Sequence, residues 1–276
     1  MMTEQISSGR RDSGLGRIAS AFSRALSTQS AALMPYFTLG YPDPETSLDV
    51  IEAIAPYSDL IELGVPFSDP IADGPTIQRS TQQAIEAGVT TTVCLEMVRE
   101  LRSRDVRVPL LLMGYYNPIL AYGEERYTVD LADAGADGLI VPDIPPEEAD
   151  NLRIRSLESG LALINFVAPT SNEERVKMII SKASGFIYMV SVTGVTGARR
   201  RLSTELSDFV SDIKAQTDLP VAVGFGISSA SQAASIGEFA DGVIVGSALI
   251  NAVDEAEDKP AAGKTFVSQL RKALEL

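Results

Sequence analysis

Eight apolar runs of strand length, spaced by amphipathic stretches of helix length, constrain this chain more than any other feature. They are "ALMPYFTLG" (Ala32 to Gly40), "LIELGV" (Leu60 to Val65), "VPLLLMGYY" (Val108 to Tyr116) and "GLIVPD" (Gly138 to Asp143). The second half adds "LALINFVAP" (Leu161 to Pro169), "GFIYMVSV" (Gly185 to Val192), "PVAVGFGI" (Pro220 to Ile227) and "GVIVGSALI" (Gly242 to Ile250). Most lack polar alternation, which is the pattern of parallel strands covered on both faces. Parallel neighbours need a crossover, and the intervening stretches supply it. "PETSLDVIEAIAPY" puts Leu48, Ile51 and Ile54 on one helical face. "SNEERVKMIISKA" opens with Ser171 as the predicted N-cap, with Glu174 three residues on in capping-box position. "STELSDFVSDIKAQT", "SSASQAASIGEFA" and "KTFVSQLRKALEL" read as further helices, and Ile18, Phe22 and Leu26 as a short leading one. Eight such units in a chain of this length fit a closed (β/α)8 TIM barrel better than an open doubly wound sheet. No linker or shift of composition interrupts residues 15–276, which are expected to form one barrel domain behind a flexible polar tail, 1–14.

Composition removes several classes of function. The chain carries 23 basic against 37 acidic residues, a net charge of -14, which argues against nucleic acid or an anionic membrane as its main partner. No apolar run approaches the ~18 residues of a membrane span. One cysteine, Cys94, allows no disulfide framework, and it is expected to be core packing. The first residues lack the apolar centre of a secretory signal. The expected location is the cytoplasm, or the plastid stroma if the tail is the remnant of a transit peptide; the acidic Glu4 and Asp12 speak against the latter. There is no histidine, which takes away the commonest general base and most zinc sites.

In a barrel of this kind the chemistry belongs at the C-terminal strand ends and the loops that follow them. Glu62 lies inside the second run, where alternation puts Leu60, Glu62 and Gly64 on the inward face. A partly desolvated carboxyl there has a raised pKa, suited to moving protons near neutral pH. A structural acid paired with a lysine or arginine is an equally good reading of Glu62 alone. Asp73 lies in the following Pro/Gly-rich loop, where by itself it would be turn chemistry. Two acids on one strand–loop unit favour a cooperating pair. "GFGI" (Gly224 to Ile227) and "VGSA" (Val245 to Ala248) close the seventh and eighth runs, where barrels commonly hold phosphate on backbone N–H groups and a helix N-terminus. The loop "SVTGVTGARRRLS", basic at Arg199, Arg200 and Arg201, is long enough to be a lid.

"PYFTLGYPD", "ELGVPFSDPIADGPTIQ", "MGYYNPI", "VPDIP", "GVTGAR", "GFGI" and "VGSA" occur in the order found in the tryptophan synthase alpha subunit family, which the chain resembles from Leu33 to about Leu249. The resemblance implies a carbon–carbon lyase that splits indole-3-glycerol phosphate into indole and glyceraldehyde 3-phosphate by a retro-aldol reaction. It implies Glu62 as the proton shuttle and Asp73 as the acceptor for the indole N–H. It further implies Tyr36, Met113, Tyr115 and Ile140 in the indole pocket, Tyr188 beside the glutamate and Thr196 on the lid. Gly197, Phe225, Gly226, Gly246 and Ser247 match the family's phosphate site. No cofactor or metal is implied for this chain. Pyridoxal phosphate is expected in a beta-subunit partner, which receives the indole in an alpha2-beta2 heterotetramer. The segments Pro66 to Pro70 and Asp143 to Pro145 match the surface that meets that partner. The chain departs from the family pattern at Tyr36, where phenylalanine is common, and at Val192, where the lid often has arginine. Two other readings remain at this point: a stand-alone lyase releasing free indole, and a non-catalytic phosphosugar-binding barrel.

Overall fold

Strand pairing closes on itself. In the computed structural model, which describes residues 13–190, 199–224 and 226–275, eight parallel strands pair in sequence order and the first pairs with the last. The strands are β1 (Ala32–Thr38), β2 (Ile61–Gly64), β3 (Leu110–Met113), β4 (Gly138–Ile140), β5 (Ala162–Val167), β6 (Ile187–Val190), β7 (Val221–Gly224) and β8 (Gly242–Val245). Each falls within one of the eight apolar runs. Every residue of β1, β2, β3, β4, β7 and β8 is buried, as strands walled by helices outside and side chains inside must be. The fold is the (β/α)8 barrel.

The helices explain their own limits. In chain order they begin with α1 (Gly14–Ser27) and α2 (Pro44–Ile54), on either side of β1. Two helices, α3 (Pro75–Glu86) and α4 (Thr91–Ser103), join β2 to β3, and two more, α5 (Tyr116–Tyr122) and α6 (Glu124–Asp133), join β3 to β4. Then come α7 (Asp150–Glu158), α8 (Glu173–Lys182), α9 (Arg199–Lys214), α10 (Ala230–Gly237), α11 (Ser247–Asp254) and α12 (Lys259–Leu274). Asp43 caps α2 through the Thr46 N–H at 3.0 Å, Pro44 fits the first turn, and Leu48, Ile51 and Ile54 are buried as the period requires. At α8 the cap is not Ser171 but Asn172, whose Oδ1 accepts from the Arg175 N–H at 2.8 Å. The Ser171 hydroxyl instead accepts from the Ala168 N–H at 3.4 Å, so it is committed to the preceding turn. Arg199, Arg200 and Arg201 belong to the first turn of α9 rather than to the loop before it. The closing helix starts five residues earlier than its apolar pattern, because Asp258 caps it through the Ala261 N–H at 3.0 Å.

The leading helix closes the N-terminal end of the barrel. Ser13 caps α1, so the segment expected as a tail gives way to helix at Gly14; residues 1–12 lie outside the described residues. Ile18 and Phe22 are buried, with Phe22 against Phe186 at a ring separation of 5.5 Å; each such burial is worth about 1.5–3 kcal/mol. Leu26 is 75% exposed, and Ala25 takes the buried position instead. A polar anchor locks this end. Asp137, just before β4, is wholly buried and receives Arg17 from α1, Arg102 from α4 at 2.7 Å and the Leu110 N–H at 2.8 Å. Arg102 also donates to the carbonyls of Gly135, Val106 and Val108, so the buried charges are well supplied with partners. Asp137→Ala leaves two guanidinium groups without their carboxylate and is expected to destabilise the fold by about 3–5 kcal/mol, read by urea denaturation.

Candidate active site

The strand register gathers the inward side chains. Residues paired across parallel strands share a face, so Tyr36, Glu62 and Leu111 form one layer. Gly64, Met113, Ile140 and Ile164 form the next layer toward the C-terminal mouth. On the far wall Tyr188 pairs with Phe166 and with Ala222, and its ring lies 4.7 Å from that of Phe166.

Two glycines make room for the tyrosines. A Cβ on Gly64 would lie 2.0 Å from the Tyr36 hydroxyl, and one on Gly224 would lie 2.6 Å from the Tyr188 hydroxyl. The two phenols thus extend over glycine positions of neighbouring strands, and both rings are buried. Burial is the main cause of the upward shift of both phenol pKa values, and the nearby carboxylates add to it.

Glu62 sits in this layer with no exposure, and neither carboxyl oxygen has a hydrogen-bond partner among the described residues. An unpaired carboxylate in such a place would cost several kcal/mol, so burial pushes its pKa well above the ordinary glutamate value. Among the described residues no lysine or arginine pairs with Glu62, so it is not the ion-paired structural acid that it alone might have been.

Asp73 stands above this layer in the loop after β2. Its Oδ2 accepts from the Tyr115 hydroxyl at 3.0 Å, and that hydroxyl in turn accepts from the Ala72 N–H at 2.9 Å. The Ala72 amide therefore turns the Tyr115 proton onto Asp73. Burial raises the Asp73 pKa to about 6, while the Tyr115 hydrogen bond pulls the other way. The carboxyl is thus mainly charged at neutral pH. Tyr36, Asp73, Met113 and Tyr115 line one narrow cleft of about 10 Å³, room for about one water molecule. Glu62, Ile140 and Tyr188 do not line it, and all three are buried.

A sequence profile described as "Tryptophan synthase alpha chain" matches residues 22–275. The chain belongs to the tryptophan synthase alpha chain family. It is 50% identical over 264 residues to the alpha chain of Chloroflexus aggregans, covering 95% of this chain and 99% of that one. It is 50% identical over 260 residues to the alpha chain of a Roseiflexus species, covering 93% and 100%. Among solved structures, tryptophan synthase subunit alpha from Legionella pneumophila superposes with a TM-score of 0.87 at 39% identity, covering 94% of this chain and 98% of that one. A Mycobacterium tuberculosis tryptophan synthase structure superposes with a TM-score of 0.86 at 39% identity, covering 94% and 98%.

Several expected positions meet the family pattern differently. Gly246 is the N-cap of α11 and Ser247 its first residue, so the Ser247 and Ala248 amides open toward the mouth as the unsatisfied donors of a helix start. Gly226 has φ 84, a backbone conformation that by itself calls for glycine. A side chain there would strain the loop whether or not a phosphate is bound. Thr196, Gly197, Phe225 and the departure Val192 lie outside the described residues. Sequence reasoning missed Phe67, whose ring lies 5.2 Å from that of Tyr115 and walls the cleft. It also missed Thr38 and Ser80, two buried hydroxyl side chains in contact with each other at 2.8 Å. A polar residue inside an apolar strand was the available signal for Thr38.

Because the folded chain holds the Asp73 proton up to about pH 6 and the unfolded chain releases it near 3.8, Asp73 makes stability fall as pH rises between those values. Asp73→Asn is expected to remove that part of the slope, measured as the urea midpoint from pH 4 to pH 7.

Proposed function

We propose that the chain cleaves indole-3-glycerol phosphate to indole and glyceraldehyde 3-phosphate, with Glu62 moving the protons. The observation that carries this is a carboxyl group fully buried on the inward face with no partner, beneath a cleft bearing a second carboxylate. In its protonated state Glu62 gives its proton to indole C3. The indole ring nitrogen then carries the positive charge, and the Asp73 carboxylate accepts its N–H. Tyr115 holds Oδ2 of Asp73, which leaves Oδ1 for that contact. Glu62, now ionised, takes the proton of the glycerol hydroxyl as the carbon–carbon bond breaks. The aldehyde leaves, indole regains its aromaticity, and Glu62 ends protonated as it began. A fixed negative charge opposite the developing cation in a site with little water is electrostatic preorganisation. Metal or cofactor participation is not part of this scheme.

The phosphate is assigned to the amides at the start of α11, with Gly246 and Ser247, and to Gly226; Gly197 and Phe225 complete the family's site. The favourable end of the helix dipole adds about 0.3–1 kcal/mol. Met113, Ile140, Tyr36 and Tyr188 are assigned to the indole pocket, and Thr196 to the lid. The family relation implies a beta-subunit partner. We assign the alpha2-beta2 stoichiometry, and pyridoxal phosphate held in the partner, on the same resemblance. Support for the docking face comes from Ile71, which stands 84% exposed in the loop between β2 and Asp73. A single catalytic domain, expected over 15–276 and extended here to the Ser13 cap of α1, completes the proposal, together with a cytoplasmic location. Among the described residues no helix is long and apolar enough to cross a membrane.

The test is indole release from indole-3-glycerol phosphate, with and without a beta subunit. Turnover that rises on adding the beta subunit supports the complexed enzyme, equal turnover supports a stand-alone lyase, and none in either arm overturns the proposal. Glu62→Gln keeps the shape but cannot shuttle a proton, and it is expected to lower kcat by at least about 10²-fold while substrate binding persists by calorimetry. Ser247→Ala should weaken affinity for glyceraldehyde 3-phosphate only a few-fold, since it removes one hydrogen bond among several. It is a cleaner probe than any side chain placed at Gly226, where the backbone alone would suffer.

A further inference from the structure

The Tyr36 hydroxyl is the end of a directed chain of hydroxyls. Ser80, in α3, donates its only hydroxyl proton to the Ile77 carbonyl at 2.9 Å. Its oxygen can then only accept from Thr38, whose Oγ1 lies 2.8 Å away. With its proton committed to Ser80, Thr38 can only accept from Tyr36, whose hydroxyl is 3.4 Å distant. Three steps of proton counting thus commit the Tyr36 proton to Thr38, leaving a lone pair on the phenol oxygen to accept. That oxygen sits over Gly64, one inward position beyond Glu62 along β2. Glu62 itself is not hydrogen-bonded to it. Burial and the neighbouring carboxylates keep the phenol neutral, so the oriented hydroxyl is not lost to ionisation.

We propose that Tyr36 is a specificity-determining residue: its hydroxyl oxygen, oriented by Thr38 and Ser80, accepts a hydrogen bond from a hydroxyl of the substrate's glycerol chain. The proposal rests on the lyase reading and refines it. A phenylalanine at this position fills the same space but offers no acceptor. The chain that carries tyrosine here therefore distinguishes a hydroxylated three-carbon linker from a bare one, whereas Thr38 and Ser80 act only as positioning residues.

The experiment compares two ligands. One is indole-3-glycerol phosphate, read as kcat/KM for indole release in the presence of a beta subunit. The other is an analogue in which an unsubstituted three-carbon chain joins indole to phosphate, read as Kd by calorimetry. Tyr36→Phe is expected to lower kcat/KM for the natural substrate about fivefold to tenfold, the effect of one hydrogen bond, and to change the Kd of the analogue less than twofold. Thr38→Val should reproduce the loss on the natural substrate, and the double variant should lose no more than Tyr36→Phe alone. Thermal unfolding of each variant confirms that it is folded; Tyr36→Phe alone decides the matter if Thr38→Val is not. Equal losses for both ligands would show that the ring packs and the hydroxyl does nothing specific. Unchanged kcat/KM in Tyr36→Phe, beside an active wild type, contradicts the proposal alone. An inactive wild type contradicts the lyase reading, and the proposal falls with it.

Discussion

A carboxyl group with no hydrogen-bond partner in the interior of a closed barrel is the constraint around which this structure is arranged. Such a group can be held only where the surroundings fix it sterically and deny it water. The register does the first, by putting Glu62 in one layer with Tyr36 and Leu111. The two phenols do the second, each reaching over a glycine on a neighbouring strand. Replace Gly64 by any larger residue and Tyr36 must leave its place above Glu62. The reactive proton, the tyrosine and the glycine are therefore one unit, although they come from two strands.

The two ends of the barrel divide the labour of stability and chemistry. At the N-terminal end, α1 supplies Ile18 and Phe22 to the core and Arg17 to the buried Asp137, so charge there is paired and satisfied. At the C-terminal end the carboxyls are left under-satisfied among the described residues: Glu62 has no hydrogen-bond partner there, and Asp73 is held by the Tyr115 phenol. The same functional group, a buried carboxyl, is thus locked at one end and kept reactive at the other. The difference lies in what faces it: two guanidinium groups and an amide for Asp137, aromatic and aliphatic walls for Glu62.

The architecture was legible in the sequence because its strands are buried on both sides, which makes them continuous apolar runs, and because βα alternation leaves few topologies. Glu62 was legible for a related reason: a charged residue in such a run violates the pattern and calls for an explanation. The helix starts were less so. Ser171 and Asn172 are adjacent N-cap residue types, and only the turn at Ala168 decides which one caps. Leu26 fits the helical period yet faces solvent, since the stripe that meets the barrel passes through Ala25. The pair Thr38 and Ser80 is separated by 42 residues, and nothing local reveals that they meet. Gly226 was read as a space for phosphate, while its positive φ shows that the backbone requires glycine in any case.

The central claim is that Glu62 keeps its proton past the pH at which ordinary glutamates ionise, near 4.3. Infrared difference spectroscopy of the folded protein, wild type minus Glu62→Gln, reads the C=O stretch of a protonated carboxyl directly across a pH titration. The account expects a carboxylic acid band in the difference spectrum that persists well above that pH and disappears only when the group ionises or the protein unfolds. A band lost with an ordinary glutamate midpoint would mean that the carboxyl is solvated or paired in solution, and the proton-shuttle role built on its isolation would be contradicted.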